Sequence, residues 1–353
     1  MLTRGLLLES LMKAVVFSKH GGPEVLQYTE APDPEIRGDE VLVEVRACAL
    51  NHLDIWARGG LPGIEIPLPH ILGNDIAGVV REVGALVSWV KAGDEVMLHP
   101  GVSCGHCAEC LAGRDNLCRD YDILGYRRDG GYAQLVAAPA VNVIPKPQNL
   151  NWAEAAALPL VTVTAWHMLV TRAAVQPGED VLIHAAGSGV GSIGIQIAKL
   201  RGARVIATAS SDDKLAKAKE LGADEVVNYS DEAWPKEVKR LTGKKGVDVV
   251  FEHTGAATWP GSIAALKSNG RLVTCGATSG FAAQTDLRLV FYKHLTILGS
   301  FMGSKAELLE AMKFVESGKI RAVVDQTLPL AEARRAHELM EDRAQFGKLV
   351  LVP

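Results

Sequence analysis

Cys104, Cys107, Cys110 and Cys118 are four of only six cysteines in the 353-residue chain, and their spacing is C-x2-C-x2-C-x7-C. Thiolates this close on a glycine-containing loop converge on one tetrahedral Zn²⁺ at about 2.3 Å. Four such ligands close the coordination shell, so the expected metal is one structural zinc per chain. The alternative, disulfides or idle thiols, suits a shorter and more cysteine-rich secreted scaffold. Cys48 and Cys275 stand apart from the cluster.

A second chemical signal is the run Gly187-Ser188-Gly189-Val190-Gly191, extended by Ser192-Ile193-Gly194. It follows a short apolar run that ends in His184 and opens a helical stretch, the context a dinucleotide fingerprint requires. Glycines there let backbone N–H groups and the helix N-terminus approach a pyrophosphate. At the end of the next strand, an NAD site usually carries an acid for the ribose hydroxyls. This chain has Thr208-Ala209-Ser210-Ser211 followed by Asp212, Asp213 and Lys214. Ser210, Ser211 and Lys214 suit a 2′-phosphate, while Asp212 and Asp213 suit the positive end of the helix. The expected cofactor is NADP(H), with NAD the alternative.

The elements that must position these groups divide at Pro147. From Lys13 to that point the pattern is short, β-rich and broken by Gly and Pro, and Val41, Val43 and Val45 alternate with Glu44 and Arg46. Many short strands with turn signals predict a barrel-like β domain. Afterwards strands at Val181–His184, Arg204–Thr208, Glu225–Asn228, Val247–Phe251, Arg271–Thr274 and Thr296–Leu298 alternate with helical stretches. That rhythm predicts a parallel, doubly wound sheet. Two helical stretches and a final strand, Lys348–Val352, are expected to return to the first domain. Thirty-seven basic against 41 acidic residues give a net charge of −4, with no basic footprint for nucleic acid. No run reaches the ~18 apolar residues of a membrane helix, and residues 1–11 read as an extension, so the cytoplasm is the expected location.

Together these features resemble the medium-chain dehydrogenase/reductase superfamily from about Met12 to Pro353. Local matches include Gly38-Asp39-Glu40-Val41, Gly73-Asn74-Asp75-x-Ala77-Gly78, Gly130-Gly131-Tyr132-Ala133 and Leu221-Gly222-Ala223-Asp224. The resemblance implies an α/β fold with a GroES-like β-rich catalytic domain over 12–147 and 300–353, including a zinc lobe at 100–120. It further implies a Rossmann domain over 148–299 and a homodimer or homotetramer. By position it nominates Thr164, Tyr229, His253, Phe301 and Lys348 as cofactor contacts; for Tyr229 and His253, capping or packing is an equal alternative.

Zinc-dependent alcohol dehydrogenases of this superfamily also carry a catalytic zinc. Here Asn51 stands at the ligand-cysteine position, Asn74 at the histidine position and Leu160 near the third ligand. Amides and an aliphatic side chain cannot replace imidazole and thiolate. The segments Ala49-Leu50-Asn51-x-x-Asp54 and Leu158-Pro159-Leu160-Val161-Thr162 resemble the quinone oxidoreductase branch, although that branch generally lacks the four cysteines. The resemblance implies metal-free hydride transfer to quinones or activated enones and enals, with donors meeting the charge that develops on the carbonyl oxygen. Asn51 is the first candidate donor, followed by His52, Asp54 and Asn74; Tyr126 is either a proton donor or a packed tyrosine. The alternatives are a zinc-type alcohol dehydrogenase with an altered metal site and a non-catalytic nucleotide-binding protein.

Overall fold

The computed structural model describes residues 10–353. Of the expected extension, residues 1–9 lie outside the described residues, and Leu11 already opens the strand Leu11–Phe17. In the front half, the strand Glu40–Ala49 is the axis. It pairs antiparallel with Asp75–Val83, with Leu135–Pro139 and with the C-terminal strand Lys348–Val352. The alternation of Val41, Val43 and Val45 buries one face, while Arg46 stays exposed on the other. Glu95–Leu98 and Val143–Pro145 extend the sheet on one side, and Val324–Pro329 lies parallel to the C-terminal strand on the other.

The return of the chain end has a positional consequence. Val350 pairs with Ala49 and Leu351 with Cys48, while Leu50 N–H donates to the Leu349 carbonyl at 2.9 Å. Lys348 is thereby brought beside Asn51, though almost the whole chain separates them in sequence.

The middle of the chain forms a six-stranded parallel sheet. Its order is Glu225–Asn228, Arg204–Ala209, Asp180–Ile183, Val247–Glu252, Leu266–Thr274 and Thr296–Gly299. The order reverses between Asp180–Ile183 and Val247–Glu252, and such a switch point opens a crevice at the strands' carboxyl ends. The glycine loop and the His253–Gly255 loop emerge there.

Before this sheet the chain forms Trp152–Ala156 and Pro159–Trp166, where the sequence reading placed no element. Every residue of Pro159–Trp166 is buried. A helix apolar on all sides shows no 3.6-residue period, because it has no solvent face. It packs between the domains: Leu158, Val161 and Trp166 share one core cluster with Ala47, Ala49 and Ala77 of the front sheet and Val181, Ile183 and Phe251 of the parallel sheet.

Gly78 marks the tightest approach of two front strands. A Cβ there would lie 2.1 Å from the Glu44 carbonyl oxygen and 2.8 Å from Val43 Cγ1. Gly78→Ala is therefore expected to force the strands apart and cost about 1–3 kcal/mol. Urea denaturation measures this, and unchanged stability would show that the crossing is slack.

Candidate active site

Asn51 lies two residues beyond the front axis strand and caps the helix His52–Gly59, its N–H donating to Asp54 Oδ2 at 2.7 Å. A polar cap followed three residues later by an acid explains the Asn51/Asp54 spacing locally. The Asn51 amide has a further set of bonds: Nδ2 donates to Asn74 Oδ1 at 2.6 Å and to Asp75 Oδ2 at 2.8 Å. Its Oδ1 accepts from Lys348 Nζ at 2.5 Å, and Lys348 also bonds Asp75 Oδ2 at 2.9 Å. Asp75 Oδ1 accepts the backbone N–H of Leu160 at 2.7 Å. Asp54 closes the cluster, accepting from Gly73 N–H and Asn74 Nδ2, both at 3.1 Å.

Asn51, Asp54, Asn74, Asp75 and Lys348 are all buried. Their donor set does not fit a tightly held zinc. Two neutral amides and the aliphatic Leu160 stand at the ligand positions; of the two nearby carboxylates, Asp75 is already paired with an ammonium and Asp54 accepts from Asn51 N–H, Gly73 N–H and Asn74 Nδ2.

This cluster forms one wall of a cleft at the switch point. Of the expected residues, Asn51, His52, Thr164, Gly187, Ser188, Gly189, Val190, Ser210, Lys214, Tyr229, His253, Phe301 and Lys348 line it. Asp54 and Asn74 lie behind the wall, and Gly191, Ser211 and Tyr126 are not among the lining residues. Gly191 instead donates its N–H to Ser188 Oγ at 2.8 Å, capping the helix Gly189–Leu200. Ser211 sits at the N-cap of Asp212–Glu220 without a side-chain cap bond. Tyr126 packs against both large core clusters.

The cleft suits a dinucleotide. Gly189 and Val190, the first residues of Gly189–Leu200, line it, and the first N–H groups of a helix lack intrahelical partners. Thr164 and Thr254 line it with buried hydroxyls that have no hydrogen-bond partner among the described residues. Thr254 and Arg343 escaped the sequence reading. Arg343 borders the Ser210 end, and its carbonyl accepts from Lys214 Nζ at 2.5 Å. Lys348, expected as a cofactor contact, lines the cleft while its Nζ bonds Asn51 Oδ1 and Asp75 Oδ2.

Two imidazoles on the wall are neutral at ordinary pH. Burial holds His52 below the usual histidine range, and Arg343 adds to the effect. Burial does the same for His253, whose Nε2 meets the His184 carbonyl at 2.8 Å. The loop carrying His253 is shaped by Glu252, which accepts from Thr254 N–H at 2.7 Å, Gly255 N–H at 3.1 Å, Thr258 Oγ1 and Ser262 Oγ. His52 stacks edge-on against Trp56 at 5.1 Å, and Trp56 meets Phe281 at 6.3 Å, giving the mouth an aromatic lining.

The cysteine lobe is separate from the cleft. One ligand atom from each of Cys104, Cys107, Cys110 and Cys118 lies within 4.8 Å of the others, and none is in a disulfide. The Cys104–Cys110 sulfurs are 3.9 Å apart and Cys107–Cys110 3.5 Å apart. A tetrahedron with 2.3 Å arms has edges of about 3.8 Å, so the four sulfurs fit one zinc.

Comparison with known proteins agrees with this geometry. Residues 37–148 match the alcohol dehydrogenase GroES-like domain and residues 189–317 the zinc-binding dehydrogenase domain. A crystal structure of an NAD-dependent alcohol dehydrogenase superposes with a TM-score of 0.94 at 54% identity, over 97% of this chain and all of that one. Crotonyl-CoA carboxylase/reductase of Cereibacter sphaeroides is 32% identical over 93% of this chain and 83% of its own length. Quinone oxidoreductase 1 of Escherichia coli is 32% identical over 96% of this chain and 99% of its own. The chain belongs to the zinc-containing alcohol dehydrogenase and quinone oxidoreductase family of the medium-chain dehydrogenase/reductase superfamily. It is an NAD(P)-dependent oxidoreductase, which sets aside the non-catalytic alternative.

Asp54 gives the cluster a pH signature. Burial pushes its carboxyl up to about 7, against the hydrogen bonds it accepts. The unfolded chain releases this proton near pH 4. Between pH 4 and 7 the folded state therefore binds the extra proton, and stability falls as pH rises, by up to about 1.4 kcal/mol per unit. Urea titrations of wild type and Asp54→Asn across that window should show the slope reduced in the variant. Equal slopes would mean that Asp54 stays ionised.

Proposed function

We propose that this enzyme uses NADP(H) to transfer hydride to quinones or to conjugated enones and enals, without a catalytic metal. The reading rests on one observation above all: the ligand positions are held by Asn51, Asn74 and Leu160, and Lys348 and Asp75 are locked together beside them. When bound, the reduced nicotinamide supplies the hydride. The chain's own residues orient the acceptor, exclude water and meet the negative charge that grows on its oxygen.

Ser210, Lys214 and Arg343 at one end of the cleft support the 2′-phosphate, with Ser211 adjacent. The four cysteines support one structural zinc per chain. An edge strand, Thr296–Gly299, beside exposed Leu287, Phe291 and Tyr292 supports a homodimer or homotetramer. A cytoplasmic location, with neither membrane nor nucleic acid as partner, belongs to the same reading; no described helix is long and apolar enough to cross a membrane. Alcohol–carbonyl interconversion is the second reading, favoured by the 54% identical relative's description as an NAD-dependent alcohol dehydrogenase.

The deciding experiment follows NADPH oxidation with quinones, enones, enals, ketones and aldehydes, alongside metal analysis of the same sample. Enone or quinone turnover with about one zinc per chain, insensitive to mild chelation, is expected. Alcohol oxidation that disappears with loss of a second zinc would overturn the reading. Lys214→Ala should weaken NADPH binding roughly tenfold or more while sparing NADH, since a lost charge-assisted hydrogen bond is worth about 1.5–3 kcal/mol. Equal weakening of both would refute the 2′-phosphate assignment. Cys107→Ser should lose the zinc and lower the melting temperature; unchanged metal content would contradict the four-cysteine site.

A further inference from the structure

The cluster on the cleft wall contains a charged donor whose bonding is incomplete. An ammonium has three N–H donors. Lys348 uses one on Asn51 Oδ1 and one on Asp75 Oδ2, and no third bond is formed among the described residues. Its head is held firmly. The stem lies against the glycine loop, where a Cβ on Gly189 would come within 2.7 Å of Lys348 Cδ, and the side chain is only 4% exposed.

The other donors near this wall are already committed or uncharged, the unpartnered hydroxyl of Thr164 among the latter. Both Asn51 Nδ2 hydrogens are spent, on Asn74 and Asp75, so the side chain first expected to meet substrate has none left. His52 is a neutral imidazole turned against Trp56. Lys214 and Arg343 border the Ser210 end of the cleft, where the adenosine half of the cofactor belongs.

We propose that Lys348 is a catalytic residue: its free N–H receives the negative charge that develops on the substrate's carbonyl or quinone oxygen, as a fixed monovalent cation where relatives use a metal. Asp75 and Asn51 are its positioning residues. The proposal rests on the reading of the substrate as a conjugated carbonyl or quinone.

The step balances without further reactants. A hydride, carrying two electrons, leaves a C–H bond of the reduced dinucleotide and forms the new C–H bond at the electrophilic carbon, so the dinucleotide is oxidised by the loss of those two electrons. The π-electron pair shifts through the conjugated system onto oxygen, forming an enolate; from a quinone this enolate is a keto tautomer of the hydroquinone anion and reaches the hydroquinone when the carbon-bound proton is lost to water and oxygen is protonated. Lys348 donates a hydrogen bond to that oxygen and keeps its proton, and water supplies the proton that completes the product. Preorganised donors of this kind are worth about 10²–10³ in rate, because they cost no reorganisation as charge appears.

The test uses 4-nitrophenol, whose phenolate imitates an enolate oxygen, and reads the phenolate absorbance of the bound probe against pH with no turnover. Wild type should bind the phenolate form and lower the probe's apparent pKa by about one unit, a tenfold preference. Lys348→Met leaves Asp75 buried without its partner and risks misfolding. The informative variant is therefore Lys348→Met with Asp75→Asn, which removes both charges. It should fold, lose the phenolate preference and lose roughly 10²–10³ in kcat with little change in KM, while Lys348→Arg recovers part of both.

A double variant that keeps the phenolate preference and the rate would reduce the pair to structural neutralisation and overturn the proposal. A fall in dinucleotide affinity with an unchanged phenolate preference would make Lys348 a cofactor contact and overturn it equally. If wild type prefers phenolate through Lys348 yet reduces no quinone or conjugated carbonyl, the substrate reading fails and the charge assignment stands.

Discussion

The ion pair between Lys348 and Asp75 is the constraint on which the site depends. Both groups are buried, and their hydrogen bonds join three separate pieces of chain. Asp75 begins a front strand, Lys348 begins the returning C-terminal strand, and Leu160, whose N–H Asp75 accepts, belongs to the helix between the domains. Burying two charges costs several kcal/mol per ion, and close geometry with further hydrogen bonds offsets that cost. Here Asp75 accepts three bonds, and the Asn51 amide contributes both its oxygen and its nitrogen. Removing one partner of such a pair costs about 3–5 kcal/mol, so the pair ties the fold to the chemistry.

Around this pair the charges are distributed with economy. The histidines His52, His184 and His253 are all held neutral by burial. Cations remain at two places on the cleft: Lys214 and Arg343 at the Ser210 end, and Lys348 at the Asn51 wall. One location suits a phosphate and the other an oxyanion. An apolar and aromatic lining between them, from Leu160, Trp56 and Ile123, lowers the local dielectric and strengthens both interactions.

The parallel sheet prepares the opposite wall by a different polar centre. Glu252 is wholly buried at a strand end and gathers two backbone N–H groups and two hydroxyls, while His184 lies 3.8 Å away. His184 itself meets Thr208 and Ser262, which links three neighbouring strands and a helix. Each member is satisfied, and a satisfied buried network fixes one arrangement of the loops it supports. The His253–Thr254 segment consequently faces the cleft with defined geometry.

Much of this protein was legible in its residues, because the relevant signals are local. The four cysteines stand out by their spacing and the glycine loop by its strand-to-helix context, and the Asn51-x-x-Asp54 cap lies within one helical turn. The parallel sheet showed itself through short apolar strands alternating with helices. The helix Pro159–Trp166 did not, since burial on every side erases the periodicity by which helices are recognised. Tertiary structure alone decided what Asn51 and Lys348 do. Lys348 and Asp75 are 273 residues apart, and only the antiparallel pairing of the last strand with Glu40–Ala49 brings them together. Sequence determined which groups were available for charge and hydrogen bonding; the returning strand determined which of those bonds were already spent.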